Sequence, residues 1–531
     1  MSFHWGSDLA PLLPVLMVLA TGLVVMVIDI AAVREPRIHA GASLVGLALA
    51  GVMAWFQWGQ RPAEVFATAG FGRGGVARVA VDGFAIYAWL VLLVVAALTV
   101  LLSPRYLSGR GMAPGPYFAL VNLSTAAMML LAAANDLIVM FLALETFSLA
   151  FYVLTGYRHR EADAREAALK YFVLGSFAAA FLLYGTALAY ASFGTTALAT
   201  VAAHSLTLSD SLNEGLQVPL AVPAVALGMV LVGLGFKASI VPFHQWTADV
   251  YTGAPAPVTG FMAAGTKVAA FTALVRVLWV GFPHVADLWL PVLAAAAVLT
   301  MAVGNLMALV QSNLKRMLAF SAIGHAGYVL AAVAAGPPEG TTAALFYVLV
   351  YGLATVGAFG VLAALGPGAE AGDAASLDDV RGLGRRHPGL AMAMAIFLLS
   401  LTGLPPTAGF LGKWFIFRAL VGANLTLLAV VVVVASVVSA FAYLRPVAAM
   451  YMAEGPDAAV PEVAAGQGVA LAVSALVVAL ALVLTVPMAK GAAFAVLGSD
   501  EAVAPAGAQE AGPGLIFVAP EFEKKSPGTP P

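Results

Sequence analysis

The sequence predicts an all-α integral membrane protein of about fourteen transmembrane helices, and three observations predict it. First, the 531 residues are 62% hydrophobic and only 10% charged, with a mean hydropathy of +0.96. A soluble domain carries about 25% charged residues, so lipid rather than water must cover most of this chain. Second, apolar runs of about 20 residues, the length that crosses a bilayer, recur along it. Third, these runs are continuous rather than alternating, which argues against a membrane β-barrel. The chain has no cysteine, which excludes disulfides, thiolate metal sites and cysteine-bound iron–sulfur clusters. The net charge of −2 says nothing about partners.

The N-terminus, "MSFHWGSDLAPLLP", has no positive n-region and no small-residue cleavage pattern, so the first run reads as a retained helix. The fourteen runs lie near 10–33, 40–58, 81–103, 116–134, 136–157, 166–193, 219–246, 255–280, 287–310, 315–335, 341–366, 388–421, 424–452 and 466–488. Only Asn135-Asp136 separates the fourth from the fifth. Loops after odd-numbered helices hold Arg34, Arg37, Arg105, Arg110, Arg158, Arg160, Arg165, Lys315, Arg316, Arg381, Arg385 and Arg386; loops after even-numbered helices hold only Arg61, Arg73 and Arg78. This asymmetry predicts that the odd loops are cytoplasmic and both termini lie on the opposite face. The tail from about 490 is rich in Ala, Gly and Pro and is expected to be poorly ordered.

"AFYVL" at 150–154 resembles "AGYVL" at 326–330, an offset of 176 that also carries Lys237 onto Lys413. Five helices, an odd number, separate the two frames, so equivalent helices would run in opposite directions. That is either an inverted repeat, a common transporter plan, or chance similarity in an Ala/Val/Leu-rich chain.

Several charges stand inside apolar runs. Lys237 precedes the turn "DVYTGAP" (249–255) by twelve residues and Lys267 follows it by twelve, so each lies roughly 18 Å from the turn at the helical rise. Both fall near the middle of a hydrocarbon core about 30 Å thick. Glu145 is also near mid-depth. Groups so deep must face protein or water, and must be paired or neutral. Lys237 and Glu145 could form a static ion pair that fastens two helices. Such a pair leaves Lys267 unexplained, and a proton relay explains all three. An amine's proton affinity falls with desolvation and rises beside a carboxylate, whereas a guanidinium stays charged.

Helix 12 spans 34 residues, and its middle reads "SLTGLPPTAGFLGKW". Pro405 and Pro406 remove two amide donors, and Gly403 and Gly409 loosen the flanks, so a broken helix is expected with Lys413 just beyond the break. In helix 7, Pro242 follows Lys237; a break or a plain kink fits. Unwound backbone at this depth must line a cavity or be buried in protein. His244 and His325 are either relays between the lysines or packing histidines. Arg276 is placed to snorkel from the non-cytoplasmic end of helix 8, and Arg445 to hold a carboxylate or carbonyl. Lys170, near the cytoplasmic start of helix 6, is an interface residue or part of a proton uptake route. No metal-ligand spacing and no phosphate-binding glycine loop occur, so neither a metal nor NADH is expected on this chain.

The stretches "FLALETFSLAFYVLTGY", "REAALKYFVLGSFAAAFLLYG", "FKASIVPFHQWTADVYTGAPAPVTGFMAAGTKVAAF", "NLKRMLAFSAIGHAGYVL" and "LSLTGLPPTAGFLGKWFIF" resemble the subunit N family of bacterial respiratory complex I over about 116–452. Lys267 stands where the related subunits L and M and the cation/proton antiporter subunits tend to be His-rich. The resemblance implies the antiporter-like fold: helices 1–3 in 1–115, inverted five-helix repeats in 116–280 (helices 4–8) and 281–452 (helices 9–13), helix 14 in 453–489, a tail in 490–531, and breaks in helices 7 and 12. It implies that Glu145 tunes Lys237, that Lys267 is the central amine, and that Lys413 faces the outward half-channel. It further implies proton translocation in the bacterial inner membrane, beside subunits M, L, K and J and lipids, without nucleic acid. NADH, FMN, iron–sulfur clusters and quinone would be bound by partner subunits. The rival expectation is a subunit of a cation/proton antiporter or of a membrane-bound hydrogenase complex.

Overall fold

The computed structural model describes residues 9–31, 35–60, 63–65, 68–69, 75–213, 221–366, 373, 376–455 and 462–497. The predicted runs emerge in order as α1 (Leu13–Ile30), α2 (Pro36–Gln57), α3 (Gly83–Ser108), α4 (Pro114–Ala133), α5 (Leu137–Thr155), α6 (Ala162–Phe193), α7a (Ala221–Ala238) and α7b (Gln245–Gly253). They continue as α8 (Ala256–Val275), α9 (Ala286–Leu309), α10 (Leu314–Ala334), α11 (Glu339–Ala364), α12a (Pro388–Thr402), α12b (Ala408–Gly422), α13 (Thr426–Met452), α14a (Ala465–Ala479) and α14b (Ala481–Leu497). Twelve helices among the described residues are long and apolar enough to cross a membrane, and α12a and α14a are shorter apolar helices.

Helix starts follow local chemistry. Pro36, Pro114 and Pro388 open α2, α4 and α12a, where a missing N–H costs nothing. Asp82, Asp136 and Asn313 accept hydrogen bonds from the first-turn amides of α3, α5 and α10, which satisfies donors a helix leaves orphaned. Helices α8, α10 and α11 are enclosed almost completely. α8 is the centre, packed against α3, α4, α7a, α10 and α11. The outer faces of α1, α2, α9 and α13 present Leu23, Val27, Phe56, Val292, Leu427 and Phe441, an apolar surface suited to lipid.

Both breaks form. α7a ends at Ala238, Ser239 takes a left-handed φ of 62°, and α7b restarts at Gln245. α12a ends on Gly403 at φ 85°, a conformation glycine adopts without cost. The sequence reading requires both segments to be lined or buried, and the structure differs: Pro242, Leu404, Pro405 and Pro406 are exposed on the isolated chain. The backbone donors there are nevertheless satisfied. Val241 N–H donates to the Thr300 hydroxyl of α9 (3.0 Å), Leu404 N–H to Leu399 O (3.1 Å) and Thr407 N–H to Leu404 O (3.0 Å). The prolines carry no donor to strand.

Four features depart from the sequence reading. The α2–α3 connection holds two short antiparallel ladders, Ala63–Val65 with Val79–Val81 and Thr68–Ala69 with Gly75–Val76. These strands lie outside the apolar runs. A helix, Leu198–Asn213, forms between α6 and α7a; its polar content kept it from reading as a membrane run. α14b continues to Leu497, beyond the expected start of the tail at 490, because "AKGAAFAVL" is still good helix-forming sequence; residues 498–531 lie outside the described residues. Arg276 does not snorkel. It is buried and donates to Asp82 (2.7 Å) and to the carbonyl of Ala132 (2.9 Å). Arg445 does meet a carbonyl, that of Leu309.

Candidate functional site

The site is a row of buried amines beginning at the break of α7. Lys237 occupies the last turn of α7a and is buried. Its Nζ has no hydrogen-bond partner among the described residues. It sits instead in a cage of rings, 4.8 Å from the centroid of Tyr171, 5.2 Å from Tyr152, 5.4 Å from Phe236 and 5.9 Å from Phe147. Ring faces attract a cation without neutralising it. Trp246 of α7b stacks on Tyr171 and Phe236 and donates from Nε1 to Phe236 O (3.0 Å), which ties the two halves of α7 around the amine.

Glu145 is not ion-paired with Lys237 among the described residues. It is half-buried on α5, with Oε1 buried and unpartnered among the described residues, yet within electrostatic reach of the amine. His244 precedes α7b, half-buried, with Nδ1 unpartnered among the described residues. Toward the turn that joins α7b to α8, Asp249 of α7b accepts from Lys170 of α6 (2.7 Å) and from Arg316 of α10 (2.6 Å), while Glu166 also pairs with Lys170 (2.7 Å). Lys170 therefore holds α7b in place and does not reach Lys237's cage.

Lys267, in the middle of α8, is wholly buried, and its Nζ has no hydrogen-bond partner among the described residues. The hydroxyls of Tyr251, Tyr351 and Thr355 are buried with no partner at good hydrogen-bond geometry among the described residues, although Tyr251 faces Thr266 and Tyr351 faces Thr355. His325 of α10 follows. Its Nδ1 meets the Tyr347 hydroxyl (2.7 Å) and its Nε2 the Tyr443 hydroxyl (2.9 Å). It lies within electrostatic reach of both Lys267 and Lys413. Lys413, on the first turns of α12b, lies over the ring of Tyr328 (4.6 Å). It donates to the carbonyls of Thr402 (2.8 Å) and Leu401 (3.2 Å) at the end of α12a. The break of α12 thus points free carbonyls at a cation.

The structure brings Lys267, His325 and Lys413 into one interior and places Lys237 in an adjoining cage. Glu145, His244 and Lys170 lie at the margins. Sequence reasoning missed the tyrosines, although a signal existed. The offset of 176 that relates Lys237 to Lys413 also relates Tyr152 to Tyr328 and Tyr171 to Tyr347. Tyr152 and Tyr328 each present a ring to their lysine.

A buried chain of titratable groups threading two broken helices defines an antiporter-like membrane subunit. Residues 134–439 match the family model described as NADH:quinone oxidoreductase/Mrp antiporter, TM, and the chain belongs to this family. It is similar to a protein named NADH-quinone oxidoreductase subunit N from Chloroflexus aggregans, 42% identical over 472 residues, covering 88% of this chain and 93% of the relative. It also resembles a chain of respiratory complex I from Thermus thermophilus with bound aureothin, with TM-score 0.73, 35% identity, and coverage of 90% of this chain and 98% of that one. A chain of the membrane-bound sulfane sulfur reductase, an archaeal respiratory membrane complex, gives TM-score 0.76 at 25% identity, covering 91% of this chain and 96% of that one.

Proposed function

We propose that this chain is a proton-translocating membrane subunit of an NADH:quinone oxidoreductase, driven by redox chemistry in other subunits. One observation carries the reading: His325 bridges two tyrosine hydroxyls within electrostatic reach of both Lys267 and Lys413, so amines on α8 and α12b share an exchangeable neighbour inside the protein. An amine and an imidazole exchange protons; a guanidinium does not. Movement of Glu145 relative to Lys237 changes that amine's proton affinity. Its proton passes by Lys267 and His325 to Lys413, which releases it outward. The unpartnered hydroxyls of Tyr251, Tyr351 and Thr355 support hydration of this interior, since each would cost about 1–3 kcal/mol if left dry.

The paired offsets of Lys237/Lys413, Tyr152/Tyr328 and Tyr171/Tyr347 support inverted repeats over 116–280 and 281–452. NADH, FMN, iron–sulfur clusters and quinone belong to partner subunits, with M, L, K and J as membrane neighbours. The chain lies in the bacterial inner membrane with both termini on the non-cytoplasmic side, on the strength of its Arg/Lys asymmetry. The alternative, a subunit of a cation/proton antiporter or of a membrane-bound hydrogenase complex, is favoured by the Mrp antiporter half of the family description and by the fold likeness to the sulfane sulfur reductase. Co-purification decides between them: a flavin- and iron–sulfur-containing NADH-oxidising assembly supports the first, and its absence overturns it. The test of the path is Lys237→Met in assembled enzyme within inverted vesicles. NADH oxidation with proton uptake reduced to background is expected, and unchanged uptake removes Lys237 from the path.

A further inference from the structure

We propose that the cleft between the α3–α4 and α5–α6 connections binds the phosphate headgroup of an anionic phospholipid. A cavity of about 560 Å³ opens there, with Arg110, Arg158, His159, Arg160 and Glu161 in its wall. Its basic groups exceed its acids. Arg110 and Arg158 share the carboxylates of Glu161 and Asp373, and Asp373 also serves Lys315. Asp163 also reaches Arg158 electrostatically, so four cations, counting Arg160, stand against three carboxylates. Arg158 is only 7% exposed. Its Nη2 donates to Gly253 O (2.8 Å) and its Nη1 lies 3.0 Å from Glu161, while its Nε has no hydrogen-bond partner among the described residues. Arg158 lines the cavity, and a buried guanidinium N–H without a partner is costly. Arg165 of α6 donates to the carbonyls of His159 (2.8 Å) and Arg160 (3.2 Å), which fixes the loop and leaves the His159 and Arg160 side chains exposed at the rim.

Lipid is favoured over a soluble anion by what borders the charge. Val153 lines the same cavity. It continues an exposed apolar face of α5 through Leu149 and Leu142, each of the three more than half exposed. Residues spaced by seven and eleven positions share one helix face. The site thus joins an arginine mouth to an apolar runway that an acyl chain can follow. Basic pockets between transmembrane helices on the side of the positively charged loops take phospholipid headgroups, and arginine forks match phosphate geometry.

The test is lipid retention by the full-length chain in nanodiscs of mixed phosphatidylcholine and phosphatidylglycerol, read by native mass spectrometry after mild delipidation. Phosphatidylglycerol is expected to be retained in preference. Arg160→Gln should lower its retention about fivefold, the effect of one basic group at a membrane surface, while Arg37→Gln, at an exposed arginine in the first turn of α2, should change nothing. The proposal is overturned by equal retention of the two lipids, by an unaltered Arg160→Gln, by an equal loss in Arg37→Gln, or by displacement of the lipid with excess inorganic phosphate. None of these readouts depends on proton transport.

Discussion

At the scale of single residues, the chain separates two uses of buried charge. Arg276 and Asp82 are both buried and joined at 2.7 Å; the guanidinium also donates from Nε to the carbonyl of Ala132 and from Nη2 to that of Ala80. This is a fastener. Removing one partner strands the other, so Asp82→Ala should cost about 3–5 kcal/mol, and an apolar pair at both positions should recover most of it. Thermal unfolding in detergent measures both. Lys237, Lys267 and Lys413 lack any such carboxylate within ion-pair distance among the described residues. Lys413→Arg should therefore keep the packing over Tyr328 and lose proton transport as fully as Lys413→Met does, because its charge is permanent; vesicle proton uptake compared with NADH oxidation checks it. The lysines were legible in the sequence as charges out of place. Their surroundings were not: an aromatic residue in a uniformly apolar helix carries no mark of whether it faces lipid, core or a cation, and the one signal that could have singled out Tyr152, Tyr171, Tyr328 and Tyr347, the repeat offset, was not followed to them.

At the scale of elements, the breaks were readable because proline and glycine act locally. The resumption of α12 also depends on a contact no local signal reports. A Cβ on Gly409 would stand 1.8 Å from the carbonyl oxygen of Ser400, so the halves of α12 meet backbone to backbone. Gly409→Ala should push them apart and displace Lys413 from its carbonyls. Its effect on proton uptake should approach that of Lys413→Met, whereas Gly228→Ala, where a Cβ meets nothing within 4 Å, should leave uptake unchanged. The loop residue Asp373 was invisible beforehand, lying in an Ala/Gly-rich stretch that resembles a linker. Burial alone would raise its carboxyl, but Lys315, Arg158 and Arg110 overcome this and hold it down to about 2, from an ordinary 3.8. A carboxyl depressed in the fold contributes stability that is present in full above its ordinary value and is lost as pH falls toward the folded one. The stability difference between the natural chain and Asp373→Asn should accordingly stay flat from about pH 7 to 5 and shrink from about pH 4 toward 2, as followed by unfolding temperature across that range.

At the scale of the whole molecule, the helix count, order and two discontinuities were dictated by hydrophobicity and by prolines, which need no tertiary information. The pairing of distant charges, the β ladders between α2 and α3 and the course of α14 depend on which segments meet in space, and one sequence does not encode that in any local pattern. One arrangement of these segments limits how the machine can run. The turn joining α7b to α8 is held from three sides: Arg158 on Gly253 O, Lys315 on Ala254 O and Asp373 on Ala256 N–H. α8 itself is surrounded along its length. Backbone amides around Lys267 should be among the slowest to exchange with deuterium, slower than those of α7a or α12b. With its axle clamped in this way, gating of a proton at Lys267 is assigned to a swing of side chains or a flicker of water around the shaft.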